Sequence, residues 1–268
     1  MYIDSHCHLS LEDFENIKEY MKEVKNNHVN KIILSLCSRE DLHNLFSLAI
    51  LQDSIYLTIG YHPEEADYIQ EKDIIFLKEL LKNYKVIGIG EIGLDYHYTK
   101  ENKIAQQKLF EEQLKLAEQE NLPVVIHSRD ATNDTIEILK KYHVKGVIHC
   151  FSGSLETAKQ YIKMGFFLGI GGVVTFKNSK LPDVIREVPL ECLVLETDSP
   201  YLTPEPYRGH KNSPQYIPVI AQKIADIKNV SVEEVVSITS QNIKKIYHIW
   251  LACKVYCTYR TNMLILLL

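Results

Sequence analysis

The chain has 268 residues, 46% hydrophobic and 24% charged, which is the composition of an ordinary globular protein and excludes disorder, collagen and coiled-coil arrays. Its formal charge of −5 excludes a protein that holds nucleic acid through a broad basic surface, because neutralising phosphates needs clustered Lys and Arg. Any phosphate chemistry must therefore be local. The six cysteines (Cys7, Cys37, Cys150, Cys192, Cys253, Cys257) are scattered through apolar runs and read as reduced thiols rather than a disulfide framework. The first strand-like run begins at Tyr2, so no signal or transit peptide is expected. The apolar stretches fall short of a membrane span. A cytoplasmic protein with no membrane partner is the expectation, and no feature marks an obligate protein partner.

Two periodicities alternate along the chain. Short apolar, β-branched runs fall at residues 2–3, 31–35, 55–60, 86–90, 123–126, 146–148, 166–171 and 193–195. Between them lie stripes at helical spacing. Leu42, Leu45, Phe46, Ala49 and Ile50 form one; Ile74, Leu77, Leu80 and Leu81 a second; Phe110, Leu114 and Ala117 a third. Further helical patterns cover 132–142, 155–164, 181–186, 214–227 and 232–247. Ser231 followed by Glu233 and Glu234 predicts the start of the last, since a hydroxyl caps free N–H groups and carboxylates suit the dipole. Near-continuous apolar strands separated by helices belong to a parallel sheet buried on both faces. Eight such units predict an α/β protein, a (β/α)8 TIM barrel with a closed parallel sheet, ahead of an open doubly wound sheet. With no repeat, low-complexity block or linker, residues 1–248 read as one domain. Residues 249–268, ending in an apolar run, read as an atypical C-terminal extension, either a helix packed on the barrel or an aberrant end.

Ligand-type residues fall at the ends of the predicted strands. The first strand runs into Asp4-Ser5-His6-Cys7-His8, the third into Gly60-Tyr61-His62-Pro63 and the fourth into Gly90-Glu91-Ile92-Gly93-Leu94-Asp95-Tyr96. The fifth runs into His127-Ser128-Arg129-Asp130, the sixth into His149-Cys150-Phe151 and the eighth into Glu196-Thr197-Asp198-Ser199-Pro200. Residues two apart on a strand share a face, so His6 and His8 point together. The C-terminal rim is where barrel enzymes assemble their sites. A lone histidine or carboxylate at a strand end is ordinarily a packed rim residue, a cap or an ion-pair partner. His6, His8, Glu91, His127, His149 and Asp198 taken together are a different matter. Burying six such groups with no cation leaves unpaired charges and donors. Six ligands also exceed the three that one catalytic zinc takes, so two ions bridged by Glu91 fit the count better. His28, His43 and His143 read as surface residues, and His97 and His248 as structural.

Those motifs, in this order and spacing, resemble the TatD family of metal-dependent deoxyribonucleases, a branch of the amidohydrolase-like metallo-dependent hydrolases, over about residues 1–247. The resemblance implies a TIM barrel, two divalent ions and hydrolysis of DNA from the 3′ end or of related phosphoesters. It assigns metal ligation to the same six residues: His6, His8, Glu91, His127, His149 and Asp198. Where the family commonly shows Arg-Gly-Lys-x-Asn-Glu-Pro, this chain has Arg208-Gly209-His210-Lys211-Asn212-Ser213-Pro214.

Two ions can clamp both oxygens of an in-line displacement. Imidazole-rich ligation suits Zn, Mn, Co or Ni, whereas Mg prefers oxygen and is the metal the family resemblance suggests. Asp198 is the candidate to orient or deprotonate the attacking water and Glu91 to bridge the ions. His62, Arg129 and Arg208 are the candidates for binding phosphate; the chain has only five arginines, and two fall on the predicted rim. Tyr96 and Tyr201 are placed to stack on a terminal base, and Asn212 to donate to substrate or shape a loop. Because imidazoles ligate only when neutral, metal affinity is expected to weaken below about pH 6.5. The alternative is a metal-dependent hydrolase of another ester or amide, such as D-aminoacyl-tRNA or a small molecule. A second alternative is a metal-binding protein without catalysis.

Overall fold

A computed structural model describes residues 1–99 and 101–249. Eight strands follow one another around the sheet: β1 (Tyr2–Cys7), β2 (Val29–Leu36), β3 (Ile55–Ile59), β4 (Val86–Asp95), β5 (Val124–Arg129), β6 (Gly146–Ile148), β7 (Phe167–Ile170) and β8 (Leu193–Leu195). Each pairs in parallel with the next. Helices cross between them, so the architecture is the nearly closed (β/α)8 TIM barrel that the alternation predicts. The seam between β8 and β1 is joined at its rim. There Asp198 N–H donates to the His6 carbonyl at 3.0 Å, and His8 N–H to the Ser199 carbonyl at 2.7 Å.

Two apolar cores divide the molecule. The larger lies between strands and helices and includes Leu34, Leu57, Ile126, Phe110, Leu114 and Ile220. The smaller takes one side chain from every strand: Ile3, Ile33, Tyr56, Ile87, Val125, Val147, Phe167 and Val194. Ile243, Ile246 and Tyr247, on the last turn of helix Val232–Tyr247, close it from below. Each buried aliphatic side chain here is worth about 1.5–3 kcal/mol. The barrel interior is thus dry and packed at its floor, and polar side chains are left to its upper end. Ser231 caps the last helix by accepting from Glu234 N–H at 3.1 Å, as its sequence predicts.

Two bulges aim the upper end. Asp4 pairs with Ile32 and Cys7 with Leu34, so three steps of β1 match two of β2. Alternation reverses there: Ile3 belongs to the inner core, but Cys7, an even number of residues on, belongs to the outer one. His6 therefore turns inward. Likewise Ile89 pairs with Val124 and Ile92 with Ile126. Both isoleucines join the outer core, and Glu91 between them turns inward. Re-aiming a side chain is the recognised effect of a bulge.

Three strands run further than the apolar pattern indicates. β1, β4 and β5 extend to Cys7, Asp95 and Arg129. His6, Glu91, His127 and Arg129 accordingly lie within strands and not beyond their ends, because ladder hydrogen bonds continue where hydrophobicity stops. The apolar pattern also shows no helix between the first two strands, yet Leu11–Glu15 and Ile17–Asn26 are helical. Only Phe14, Met21 and Val24 are buried there, too narrow a stripe in a charged segment to stand out. Ser10 and Asp13 start this region with a reciprocal capping box.

Cys7, Cys37, Cys150 and Cys192 are free thiols. No helix among the described residues is long and apolar enough to cross a membrane. The proposed extension 249–268 lies outside the described residues except for Ile249, which packs on the inner core.

Candidate metal centre

The upper end of the barrel brings together side chains from four strands and the turn after β8. His6 and His8 come from β1, Glu91 from β4, His127 from β5 and His149 from the end of β6; Asp198 follows β8. His6, Glu91, His149 and Asp198 are buried. Their ligand-type atoms fall into overlapping groups, each within 4.8 Å: His6, His8 and Glu91; His6, His149 and Asp198; and Glu91, His127 and His149.

Glu91 divides the set. Its Oε2 lies 3.4 Å from His6 Nε2 and 3.5 Å from His8 Nε2. Asp198 Oδ1 joins that side at 3.6 and 3.7 Å from the same two nitrogens. Glu91 Oε1 lies 2.7 Å from both His127 Nδ1 and His149 Nε2. One carboxylate thus serves two clusters of donors, the arrangement a bridging ligand requires.

Hydrogen bonds fix which ring nitrogens face the centre. His8 Nδ1 lies 3.2 Å from the Ser35 carbonyl, which only accepts, so Nδ1 carries a proton and Nε2 is left facing the centre as its ligand atom. His127 Nε2 lies 3.0 Å from Asp95 Oδ2, which leaves Nδ1 as its ligand atom. The Nε2 atoms of His6 and His8 approach to 3.2 Å, and His127 Nδ1 lies 3.1 Å from His149 Nε2. Four imidazoles and two carboxylates converging in this way match the nitrogen and oxygen preferences of divalent transition ions. The donor chemistry fits.

The electrostatics are correspondingly divided. Burial pushes His6 down to about 3, with His149 adding to the effect. Burial also works against the charge on His127, but Asp95 and Glu91 outweigh it and lift that imidazole to about 9. Burial favours a neutral Glu91, yet His149, His127 and His6 hold it well below the usual carboxylate range. Burial raises Asp198, with His149 and His8 opposing. The sign for metal binding follows from His127. Below about 9 its ring is doubly protonated, and the Nδ1 proton must leave before that atom can ligate. Burial opposes charge on His8 too, but Cys37 and Glu91 hold that imidazole well above its ordinary range, so it also must lose a proton to ligate. Affinity should therefore rise with pH by at least about one log unit per unit up to about 9, a window above the 6.5 expected for an unperturbed imidazole. Calorimetry at pH 7 in two buffers of unlike ionisation enthalpy should show at least one proton released per chain. Affinity that is level between pH 6 and 9 would contradict this.

The proposed substrate residues separate into those the structure leaves available and those it commits elsewhere. His62 stands in the cluster itself, its Nε2 3.6 Å from Glu91 Oε1 and its ring edge-on to His127 at 4.5 Å. Its Nδ1 accepts from Glu64 N–H at 3.3 Å, so Nε2 carries the proton, and burial lowers the imidazole to about 4. Arg129 lies on the rim over the exposed ring of Tyr98, at 5.0 Å. Arg208 lies over Phe176 at 4.2 Å and donates to the Thr203 carbonyl. Neither guanidinium pairs with a carboxylate among the described residues. Tyr201 is 63% exposed and its ring centre is 6.5 Å from that of His8.

Two residues need correction. Tyr96 is buried, its hydroxyl donates to Asp134 at 2.9 Å and Lys103 covers its ring, so no face is free for a base. Asn212 is buried and donates to the Thr197 and Tyr201 carbonyls while its oxygen accepts from Ser213 N–H; it shapes the loop. Three carboxylates went unassigned in the sequence. Asp95 orients His127, as described. Asp4 and Glu196 are wholly buried, and burial lifts Asp4 to about 7 and Glu196 well above the carboxylate range. All three stand inside the motifs already quoted; Asp4 and Glu196 lie two residues from a ligand and Asp95 four residues from Glu91.

Comparison with known proteins agrees with this geometry. The family described as TatD related DNase matches residues 3–248. The chain is 41% identical over 254 residues to the uncharacterized metal-dependent hydrolase YabD of Bacillus subtilis, covering 93% of this chain and all of that protein. It is 36% identical over 255 residues to YcfH of Escherichia coli, also named an uncharacterized metal-dependent hydrolase, covering 92% and 96%. The crystal structure of YjjV, a TatD homolog from Escherichia coli, superposes with a TM-score of 0.85 at 29% identity, covering 92% and 98%. The chain belongs to the TatD family of metal-dependent hydrolases.

Proposed function

We propose that this hydrolase cleaves phosphodiester bonds in DNA, removing nucleotides from the 3′ end at a centre of two divalent ions. The observation that carries the two-ion reading is the division of Glu91, with Oε2 toward His6 and His8 and Oε1 toward His127 and His149. When bound, the ions supply Lewis acidity toward a phosphoryl oxygen and lower the pKa of water. Zn, Mn, Co or Ni suit the imidazoles; Mg is the alternative that the family suggests.

The chain's own groups divide the remaining work. Asp198, buried beside His6 and His8, takes the proton of the attacking water. His62, neutral and with its Nε2 proton directed at the cluster, donates to a non-bridging phosphoryl oxygen. Arg129, which donates to the Tyr98 hydroxyl and has no carboxylate partner among the described residues, presents its guanidinium at the rim for the same group or its neighbour. Tyr201, exposed beside His8, supports an end-binding nucleic-acid substrate, because a terminal base can stack on its open face. These contacts are few and local, as the net charge of −5 demands.

The test is digestion of a 5′-labelled single-stranded oligonucleotide with each metal, run beside aminoacyl esters and dipeptides. A ladder shortening from the 3′ end is expected. Turnover of the esters or dipeptides by metal-loaded protein that leaves the oligonucleotide whole would overturn the nuclease reading.

A further inference from the structure

We propose that the end of β8 fixes both halves of the metal centre through two buried carboxylates acting as positioning residues. Glu196 holds His149 through the Cys150 main chain, and Asp4 ties His6 to the segment carrying Asp198. This rests on the two-ion reading above.

Three consecutive N–H groups around His149 are anchored. His149 N–H donates to the Ile126 carbonyl at 3.1 Å and Phe151 N–H to the Gly169 carbonyl at 3.0 Å. Between them, Cys150 N–H donates to Glu196 Oε1. Only the middle anchor is a side chain. Cys150 takes a φ of +45°, a region that favours glycine, so the chain leaves His149 by a turn that needs holding. Glu196 reaches it by passing over Gly169, where a Cβ would lie 2.1 Å from Glu196 Oε2. A wholly buried carboxylate in a space that only glycine allows is costly, and a main-chain clamp accounts for its presence.

Asp4 does the corresponding work across the seam. Its Oδ1 accepts from His6 N–H at 3.2 Å and from Thr197 N–H at 3.0 Å, and its Oδ2 from the Thr197 hydroxyl at 2.5 Å. Glu196, Thr197 and Asp198 therefore connect in turn to β6, to β1 and to the centre itself.

The experiment is calorimetric Co2+ titration of the full chain, stripped of metal, in two backgrounds. His127→Ala/His149→Ala leaves the His6–His8 half, and His6→Ala/His8→Ala leaves the His127–His149 half. Glu196→Ala should weaken binding about tenfold or more in the second background and leave the first within about twofold. Asp4→Ala should do the reverse. Glu196→Gln keeps an acceptor for Cys150 N–H and should recover most of the loss. If Glu196→Ala does not fold, Gly169→Ala displaces the same carboxylate and should give the same half-selective loss. Folded variants that weaken both halves equally, or neither, overturn the proposal. Failure of the two-ion reading is separate: the unsubstituted chain would then titrate to one ion.

Discussion

Glu91→Ala should lose metal and hydrolysis together while the barrel survives. The substitution removes both oxygens that divide the donor set, one facing His6 and His8 and the other His127 and His149. Neither nitrogen group then has the anionic ligand it shares; His127 keeps only Asp95, and His149 loses the carboxylate beside its Nε2. Metal chemistry supplies several kcal/mol of transition-state stabilisation, so a loss of at least about 10^3-fold in kcat/KM is expected. The fold should persist because the packed floor, from Ile3 round to Val194, lies below the site and does not involve Glu91. Circular dichroism should match the unsubstituted chain, and elemental analysis should find metal depleted. Folded Glu91→Ala that keeps its metal and its turnover would contradict the assignment.

Asp198→Asn should separate chemistry from assembly. The amide keeps the volume and the main-chain bond from residue 198 N–H to the His6 carbonyl, which closes the seam. It removes the carboxylate proposed to accept the proton of water. Loss of a general base typically costs about 10^2–10^4-fold in kcat. The pH profile gives the sharper readout. Burial raises the Asp198 carboxyl, so with Asp198 as the base the rate must fall as pH drops through a value above the ordinary carboxylate range. That acidic limb should vanish in Asp198→Asn. A profile with its limb unchanged would remove Asp198 from the proton transfer.

The barrel was legible because its eight strands are apolar on both faces and its helices carry clear stripes. What escaped the pattern was polar. Helices Leu11–Glu15 and Ile17–Asn26 bury only Phe14, Met21 and Val24, and β1, β4 and β5 continue into residues that serve the site rather than the core. The six clustered residues could be picked out because each stands where a strand reaches the rim. The bulges around Ser5 and around Glu91, which turn those side chains inward, leave no mark in hydrophobicity, since they are a matter of register with the neighbouring strand. Tyr96 and Asn212 show the same boundary. Their positions in the motifs suggest substrate contact, but their hydrogen bonds to Asp134, Thr197 and Tyr201 depend on partners that only the fold brings near. Asp4 and Glu196 looked like flanking residues for the same reason.

Metal stoichiometry of the unsubstituted protein, purified, stripped, reloaded and freed of unbound ion, tests the central assignment most directly. Two divalent ions per chain are expected, with the count falling when His6 and His8, or His127 and His149, are replaced. A chain that binds no ion, or that keeps its full complement after either pair is replaced, would contradict it.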